Sequence, residues 1–579
     1  MGFISLRLLL ASLPLCFLLA CSVDDKDTVG NVDGSSKTID KRPNILLIVA
    51  DDLGFSDLGS FGGEINTPNL DKLAKSGLQL NNFYAAPTCS PSRGMLLSGM
   101  DNHLVGLGTQ KYYWSEEQKG RPGYEGYLND RFVTIATRLK GAGYNTYMAG
   151  KWHLGYDESS YPPARGFDKS FALKEGGASH FDQRGVIPPA AKANYLKDGQ
   201  PVDLPEDFFS SKFYTDTLIE YIENNREDNQ PFFAYAAYTA PHWPLQAPEK
   251  FIKKYQGVYD EGYESIADSR LQRMKAKGLV PDHVAANPGP DFYPHWNELS
   301  SQQKKHEARL MEIYAGMVDA LDFQIGRLIN YLDKTGQLEN TLVIFMSDNG
   351  AEGSNPLDII AGKNRPNSEW IPEQFDNRFE NLGKAGSYVS VGPGWARVSS
   401  TPLRLHKGST AEGGIKVPAF IYYPEMARSG QISSEFISVT DIAPTLMELA
   451  GLNPHSDTHG DRKVLPMTGN SLVGYVFEDE PSVHGEDFTY AWELFGRRAV
   501  RIGDWKMTFF NKPWGTDHWQ LYNLADDPSE MNNLYRTHPQ QVERLKQSWK
   551  EYVKRNDMIV VDKVDVLYTN GTSHYEEKH

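Results

Sequence analysis

Five short runs along the chain are apolar at nearly every position: NILLIVA (Asn44–Ala50), YNTYMAG (Tyr144–Gly150), FFAYAAY (Phe232–Tyr238), TLVIFMS (Thr341–Ser347) and VPAFIYY (Val417–Tyr423). Continuous rather than alternating hydrophobicity marks strands covered on both faces, the habit of a mostly parallel sheet. Between these runs, apolar residues recur near helical spacing in Thr67–Gly77, Asp130–Gly143 and Glu312–Gly336, each stretch closing on glycine. Strands alternating with helices predict an α/β layered domain, which we bound at residues 42–460. No period of roughly 20–50 residues repeats, which argues against solenoids and propellers.

After about residue 460 the texture changes. RRAVRIGDWKMTFF and HWQLYNLADDPSEMNNL read as antiparallel strands around a turn, followed by the helix HPQQVERLKQSWKEYVKRN. This predicts a smaller C-terminal α+β subdomain with a short antiparallel sheet over residues 461–579. Two stretches, about 254–305 and 355–400, are rich in Pro, Gly, Asn and aromatics with little periodicity, and read as long excursions.

The N-terminus, MGFISLRLLLASLPLCFLLACS, carries one Arg before an apolar run of signal-peptide length, too short for a confident membrane span. LLAC ending at Cys21 resembles a bacterial lipoprotein lipobox. The expectation is a signal peptide over residues 1–20 and a lipidated flexible tether over residues 21–41. An acyl anchor would then be the only membrane contact of an exported domain in the bacterial periplasm or cell envelope. Ordinary signal cleavage nearby, with Cys21 incidental, is the plain alternative; on the lipoprotein reading Cys16 would leave with the signal and Cys21 would be acylated, so the mature chain would keep Cys89 alone and form no intramolecular disulfide. Lys+Arg 59 against Asp+Glu 75 leaves a net charge of −16, which excludes a protein that coats nucleic acid or anionic membrane. An anionic substrate needs a local pocket of positive charge set against that field.

Candidate chemistry collects at the ends of the apolar runs, where open α/β sheets place their ligands. The first run ends in Asp51 and Asp52, and the fourth in Asp348 and Asn349. Either motif alone also suits a helix cap. Together they form an all-oxygen set, which selects Ca²⁺ or Mg²⁺ over Zn²⁺. The second run leads into Lys151 and His153, two residues apart and projecting the same way if the segment is extended. The third leads to His242, and a Gly-rich turn before the fifth holds Lys407. A structural histidine and a solvated loop lysine are the plain alternatives for these two.

These residues carry a family resemblance. APTCSPSRGMLLSG, AGKWHLG, SDNGAEGSN, GKAGSYVSVGPGWARVSSTPLRLHKGSTAEGGIKVPAF and LYNLADDPSEMNNL resemble, in order over roughly residues 42–550, segments of bacterial arylsulfatases of the type I sulfatase family. The most specific is CxPxR followed by Gly: Cys89, Pro91, Arg93 and Gly94. There a maturation enzyme, either the formylglycine-generating enzyme or an anaerobic sulfatase-maturating enzyme, oxidises cysteine to Cα-formylglycine.

The resemblance implies an alkaline-phosphatase-like sandwich, a large mixed and mostly parallel sheet flanked by helices, and a sulfuric ester hydrolase. Asp51, Asp52, Asp348 and Asn349, with the modified residue 89, would hold one metal ion, Ca²⁺ with Mg²⁺ as the alternative. The hydrated aldehyde at residue 89 would attack the sulfur of a sulfate monoester. Arg93 would orient it, Lys151 and Lys407 would bind sulfate oxygens, His242 with Lys407 would assist the leaving alcohol or phenol, and His153 would act as base when sulfate is expelled. Trp114, Trp152, Trp243, Trp370, Tyr388 and Trp395 are candidates for lining an aryl pocket. Three readings stand beside the arylsulfatase: a glycan sulfatase, a phosphonate monoester hydrolase or phosphodiesterase of the same superfamily, and a catalytically dead sulfated-glycan binding protein.

Overall fold

The computed structural model describes residues 42–111, 113–359, 366–562 and 574; the expected signal peptide and tether lie outside the described residues. The apolar runs meet in one ten-stranded sheet. Its order is Gln431–Ser433, Leu78–Leu80, Ala419–Tyr422, Thr341–Ser347, Asn44–Ala50, Phe232–Ala237, Asn145–Lys151, Lys169–Leu173, Tyr195–Lys197, Gln200–Val202. The five strands from Thr341–Ser347 to Lys169–Leu173 run parallel. The fifth apolar run departs from the expectation: Ala419–Tyr422 lies antiparallel to both of its neighbours. Continuous hydrophobicity reports coverage of both faces, which this strand has, and carries no direction.

Alternate residues of Asn44–Ala50 enter two separate cores. Leu46, Ile48 and Ala50 pack beneath the helices Pro68–Ser76, Ser210–Asn224 and Ser301–Lys334. Ile45, Leu47 and Val49 pack beneath Cys89–Ser98, Ile135–Gly141 and Ile442–Leu449. The register then decides where chemistry can gather. Ala50 lies opposite Ser347, Val49 opposite Ala237, and Ala237 opposite Gly150, so the four central strands end together at one edge.

The helix expected over Asp130–Gly143 is shorter, Ile135–Gly141, because Thr134 caps it by accepting from Thr137 N. The one expected at Glu312 starts earlier, at Ser301, behind a capping box of Ser300 and Gln303. The 254–305 stretch is not a plain excursion: it holds the helix Gly262–Ala276. That helix buries Arg270 beside Tyr263, Ile266, Leu271 and Met274, and a charge on the inner face breaks the apolar period. The 355–400 stretch likewise contains two short helices, Asn367–Gln374 and Gly392–Ser399.

The C-terminal sheet has four antiparallel strands in chain order, Thr489–Leu494, Arg497–Ile502, Trp505–Phe509 and Trp519–Asn523, the first of them outside the runs singled out in the sequence. The helix Pro539–Arg555 lays Val542, Leu545, Trp549 and Tyr552 against it. Among the described residues, no helix is long and apolar enough to cross a membrane.

Candidate active site

Cys89 opens the buried helix Cys89–Ser98, and Arg93 follows one turn later on the same face. Both point at the common edge of the four central strands. The Cys89 thiol lies 3.3 Å from Asp51 Oδ1 and 3.6 Å from Asp52 Oδ1. Arg93 Nε donates to Asp348 Oδ2 at 2.8 Å, and its Nη1 donates to the Lys151 carbonyl at 3.0 Å and approaches the Tyr235 hydroxyl at 3.5 Å. Asn349 Nδ2 donates to Asp52 Oδ1 at 2.7 Å, and Asp52 N donates to Asp348 Oδ1 at 3.2 Å.

Each lysine has its own carboxylate. Lys151 Nζ sits 2.9 and 2.7 Å from the two oxygens of Asp51, and Lys407 Nζ is 2.8 Å from Asp52 Oδ2. His242 Nε2 lies 3.5 Å from the same Asp52 oxygen. Its Nδ1 is 2.6 Å from the Trp243 carbonyl, which only accepts, so Nδ1 carries the proton and Nε2 faces the site with its lone pair.

Two of these residues hold left-handed backbone, Asp52 at φ 67 and His153 at φ 55. Such conformations cost a non-glycine residue about 1 kcal/mol or more and persist where the surroundings over-determine them. His153 therefore does not continue an extended segment from Lys151, as the spacing suggested; the chain turns there. Gly176 and Gly177 leave room for both imidazoles, since a Cβ would stand 2.6 Å from the His153 ring and 3.0 Å from that of His242.

Behind Asp52, Gly54 N and the Tyr314 hydroxyl both donate to Asp57 Oδ2, at 2.8 and 2.6 Å, and Arg270 Nη1 donates to Asp57 Oδ1 at 2.6 Å. This buried clamp braces the turn that carries Asp52.

The electrostatics follow from burial and neighbours. Burial, then the Asp348 charge, pushes the Cys89 thiol far above its ordinary range, so the unmodified sulfur stays protonated and is a poor nucleophile. Burial raises Asp52, but Lys407, His242 and Lys151 outweigh it and hold the carboxyl well below the usual range. Burial and the Asp51 charge lift Asp348 to about 6 against the pull of Arg93. Burial pushes His242 down to about 3, opposed by Asp52 and reinforced by Lys151 and Lys407. His153 falls well below its ordinary value through burial and then the Lys151 and Arg93 charges. Both histidines are therefore neutral.

The donor set fits a hard divalent cation. One ligand atom each from Asp51, Asp52, Cys89 and His242 lies within 4.8 Å of the others, and Asn349 Oδ1 is buried without a partner. Arg93 Nη2 is likewise buried without a hydrogen-bond partner. Asp348, expected among the ligands, is not one of that group of four, where His242 stands instead; its oxygens accept from Arg93 Nε and the Asp52 amide. Two of those four atoms are carboxylate oxygens, and with Asn349 Oδ1 and an oxygen in place of the Cys89 sulfur the set would be mostly oxygen, as Ca²⁺ or Mg²⁺ requires. All ten residues named from the sequence thus gather at this edge.

Glu352 was not foreseen. It is buried, and its Oε2 lies 2.9 Å from Lys407 Nζ. It stands three residues after Asn349 inside SDNGAEGSN, so the motif contained it, but nothing in the spacing marked it out.

A cavity of about 320 Å³ opens onto the cluster, walled by Cys89, His153, His242, Glu352 and Lys407. Val186, Ile187, Pro189, Trp243 and Ile359 form an apolar side, while Lys111, Lys174 and Glu175 supply charge. Of the six aromatics proposed as lining, only Trp243 is in the cavity wall. Trp370 and Tyr388 stand behind it in one apolar cluster. Trp152 packs edge-on to Phe167, Trp395 packs on Tyr259 and Tyr263, and Trp114 donates to the Tyr124 carbonyl. Large aromatic rings bury in cores as readily as in pockets, and composition does not separate the two.

A family model described as Sulfatase matches residues 43–452, and one described as N-sulphoglucosamine sulphohydrolase, C-terminal, matches residues 406–557. An uncharacterized sulfatase of Schizosaccharomyces pombe is 44% identical over 523 residues, 88% of this chain and 93% of that protein. An arylsulfatase of Klebsiella aerogenes is 42% identical over 443 residues, 76% of this chain and 93% of that protein. Among solved structures, Ps i-CgsB in complex with k-i-k-neocarrahexaose aligns with a TM-score of 0.62 at 24% identity, covering 89% of this chain and 93% of that one. At that identity the likeness speaks for the fold.

Proposed function

The chain belongs to the sulfatase family and is a sulfuric ester hydrolase, and on that premise we propose that it cleaves aryl sulfate monoesters through a formylglycine at position 89. The observation that carries the proposal is the place of residue 89: at a helix N-terminus, within 3.6 Å of two strand-end carboxylates, facing the cavity.

Asp51, Asp52, Asp348 and Asn349 would hold a divalent cation, Ca²⁺ by preference. When bound, such an ion supplies Lewis-acid polarisation and lowers the pKa of an adjacent hydroxyl. Arg93, fixed by Asp348 and the Lys151 carbonyl, orients the oxygen carried by residue 89. Lys151 and Lys407 bind sulfate oxygens, and such preorganised charge in a water-poor site contributes about 3 kcal/mol per donor. His153, kept neutral, accepts the proton of the second hydroxyl on residue 89 as sulfate departs. His242 offers a lone pair at Nε2 because Nδ1–H is taken by the Trp243 carbonyl, so Lys407 is the cation that meets the leaving oxygen.

The apolar side around Trp243, together with the arylsulfatase of Klebsiella aerogenes at 42% identity, favours an aromatic leaving group. The proposal includes an exported domain tethered through acylated Cys21, outside the described residues. The test is relative kcat/KM on 4-nitrophenyl sulfate, a phenyl phosphonate monoester and a sulfated monosaccharide. We expect the aryl sulfate to lead; faster phosphonate or sugar turnover would overturn the aryl sulfatase reading.

A further inference from the structure

We propose that Glu352 is a positioning residue that holds the Lys407 ammonium against the leaving-group oxygen, an inference that rests on the sulfatase reading above. A carboxylate in the wall of a cavity that takes an anion needs a reason, because it repels the substrate and loses solvation on burial. Glu352 is fixed from both ends. Its Oε1 accepts from Ser354 N at 2.7 Å, and its Oε2 lies 2.9 Å from Lys407 Nζ. The backbones are clipped together as well, with Lys407 N donating to the Ala351 carbonyl at 3.0 Å. Glu352, Lys407, Cys89 and His242 share one cavity wall.

The two lysines of the site differ in one respect. Lys151 rests on both oxygens of Asp51, whereas Lys407 bridges Asp52 at 2.8 Å and Glu352 at 2.9 Å. Asp52 also belongs to the set that would ligate the cation. Once its oxygens are committed there, Glu352 still anchors Lys407 at 2.9 Å. A lysine side chain carries about 2 kcal/mol of rotamer entropy, so an ammonium aimed by one shared carboxylate wanders. A second carboxylate, itself pinned by a backbone amide, holds it still.

Glu352 also sets the charge of the site. Asp51, Asp52, Asp348 and Glu352 carry four negative charges against three positive ones on Arg93, Lys151 and Lys407, all of them buried. A divalent ion turns this deficit of one into an excess of one.

The test compares the wild type, E352Q and E352D on a series of substituted phenyl sulfates whose phenols span a wide range of acidity. Negative charge builds on the leaving oxygen most for the least acidic phenols, so these depend most on a correctly aimed cation. We expect E352Q to lose roughly 10²-fold in kcat for unactivated phenols and about 3-fold or less for nitrophenols, with E352D recovering part of the loss. An equal loss across the series, or none, overturns the inference. Should E352Q not fold, E352D against the wild type gives the same comparison. A wild type inactive on every phenyl sulfate would instead defeat the sulfatase reading, so the two failures are distinguishable.

Discussion

Replacing Lys506 with methionine tests whether the C-terminal sheet braces the loop that carries Lys407. Lys506 Nζ is fully buried on the Trp505–Phe509 strand, 2.6 Å from Glu412 Oε1 and 2.9 Å from Glu530 Oε1. Glu412 begins the helix that follows the Lys407 turn, accepts from the Tyr84 hydroxyl at 2.7 Å, and donates its backbone N–H to Glu530 Oε2 at 3.0 Å. Two further ties cross the same junction: Arg404 to the Tyr522 hydroxyl at 3.0 Å, and Arg497 to the Gly408 carbonyl. Methionine fills the space of lysine but removes the ammonium that touches both carboxylates, leaving them the more distant charges of Lys416, Arg501 and Arg404. Breaking a buried ion pair from one side costs about 3–5 kcal/mol. An unfolding entropy of about 2.1 cal/mol/K per residue over roughly 500 residues gives about 1 kcal/mol/K, so the expected fall in Tm is about 3–5 °C. Thermal unfolding followed by tryptophan fluorescence measures it, with kcat/KM on 4-nitrophenyl sulfate alongside. Activity should drop at a temperature where the variant is fully folded, and E530Q added to K506M should restore part of the lost Tm by removing the excess charge. A Tm within about 1 °C of the wild type with unchanged kcat/KM would refute the brace.

Further outcomes follow from other residues. His103 bridges Asp101 at 2.8 Å and Glu493 at 3.0 Å, and although burial opposes its charge, these carboxylates raise it to about 9. Its stabilisation is fully present below the unfolded value of about 6.5 and disappears as pH rises through about 9, so H103Q should be less stable by at most about 3 kcal/mol at pH 6.5 and match the wild type near pH 10. A stability gap that does not change with pH would contradict this. C89S should take up one equivalent of sulfate from an aryl sulfate and stall, since a sulfated serine has no second hydroxyl on the same carbon to expel it; sustained turnover would count against the diol. Chelation should lower Tm by about 3 °C, with Ca²⁺ at about 100 times its Kd restoring it through about 2.7 kcal/mol of binding linkage. No recovery with Ca²⁺ or Mg²⁺ would count against an oxygen-ligated cation.

Much of the site was legible because buried parallel strands deliver whatever follows them to one edge. Asp51 after Ala50 and Asp348 after Ser347 became neighbours through a register that pairs those two alanine and serine residues directly. Cys89 and Arg93 were legible as a pair because their spacing is one helical turn. What escaped had no one-dimensional signal. Glu352 gains its meaning from Lys407, 55 positions away along the chain and 2.9 Å away in space. The helix Gly262–Ala276 was hidden because Arg270 sits on its inner face to serve Asp57 and Glu64. The antiparallel course of Ala419–Tyr422 and the retreat of Trp152 and Trp395 into the cores are matters of direction and packing, to which hydrophobicity is blind.

The central claim is that residue 89, once oxidised, is the group that takes the sulfuryl moiety. Preparations matured to different extents should be assayed on 4-nitrophenyl sulfate while mass spectrometry measures the fraction of the residue 89 peptide in which CH₂SH has become CHO. The account predicts a rate proportional to that fraction and passing through the origin. Full activity in protein that retains an ordinary cysteine at position 89 would contradict it.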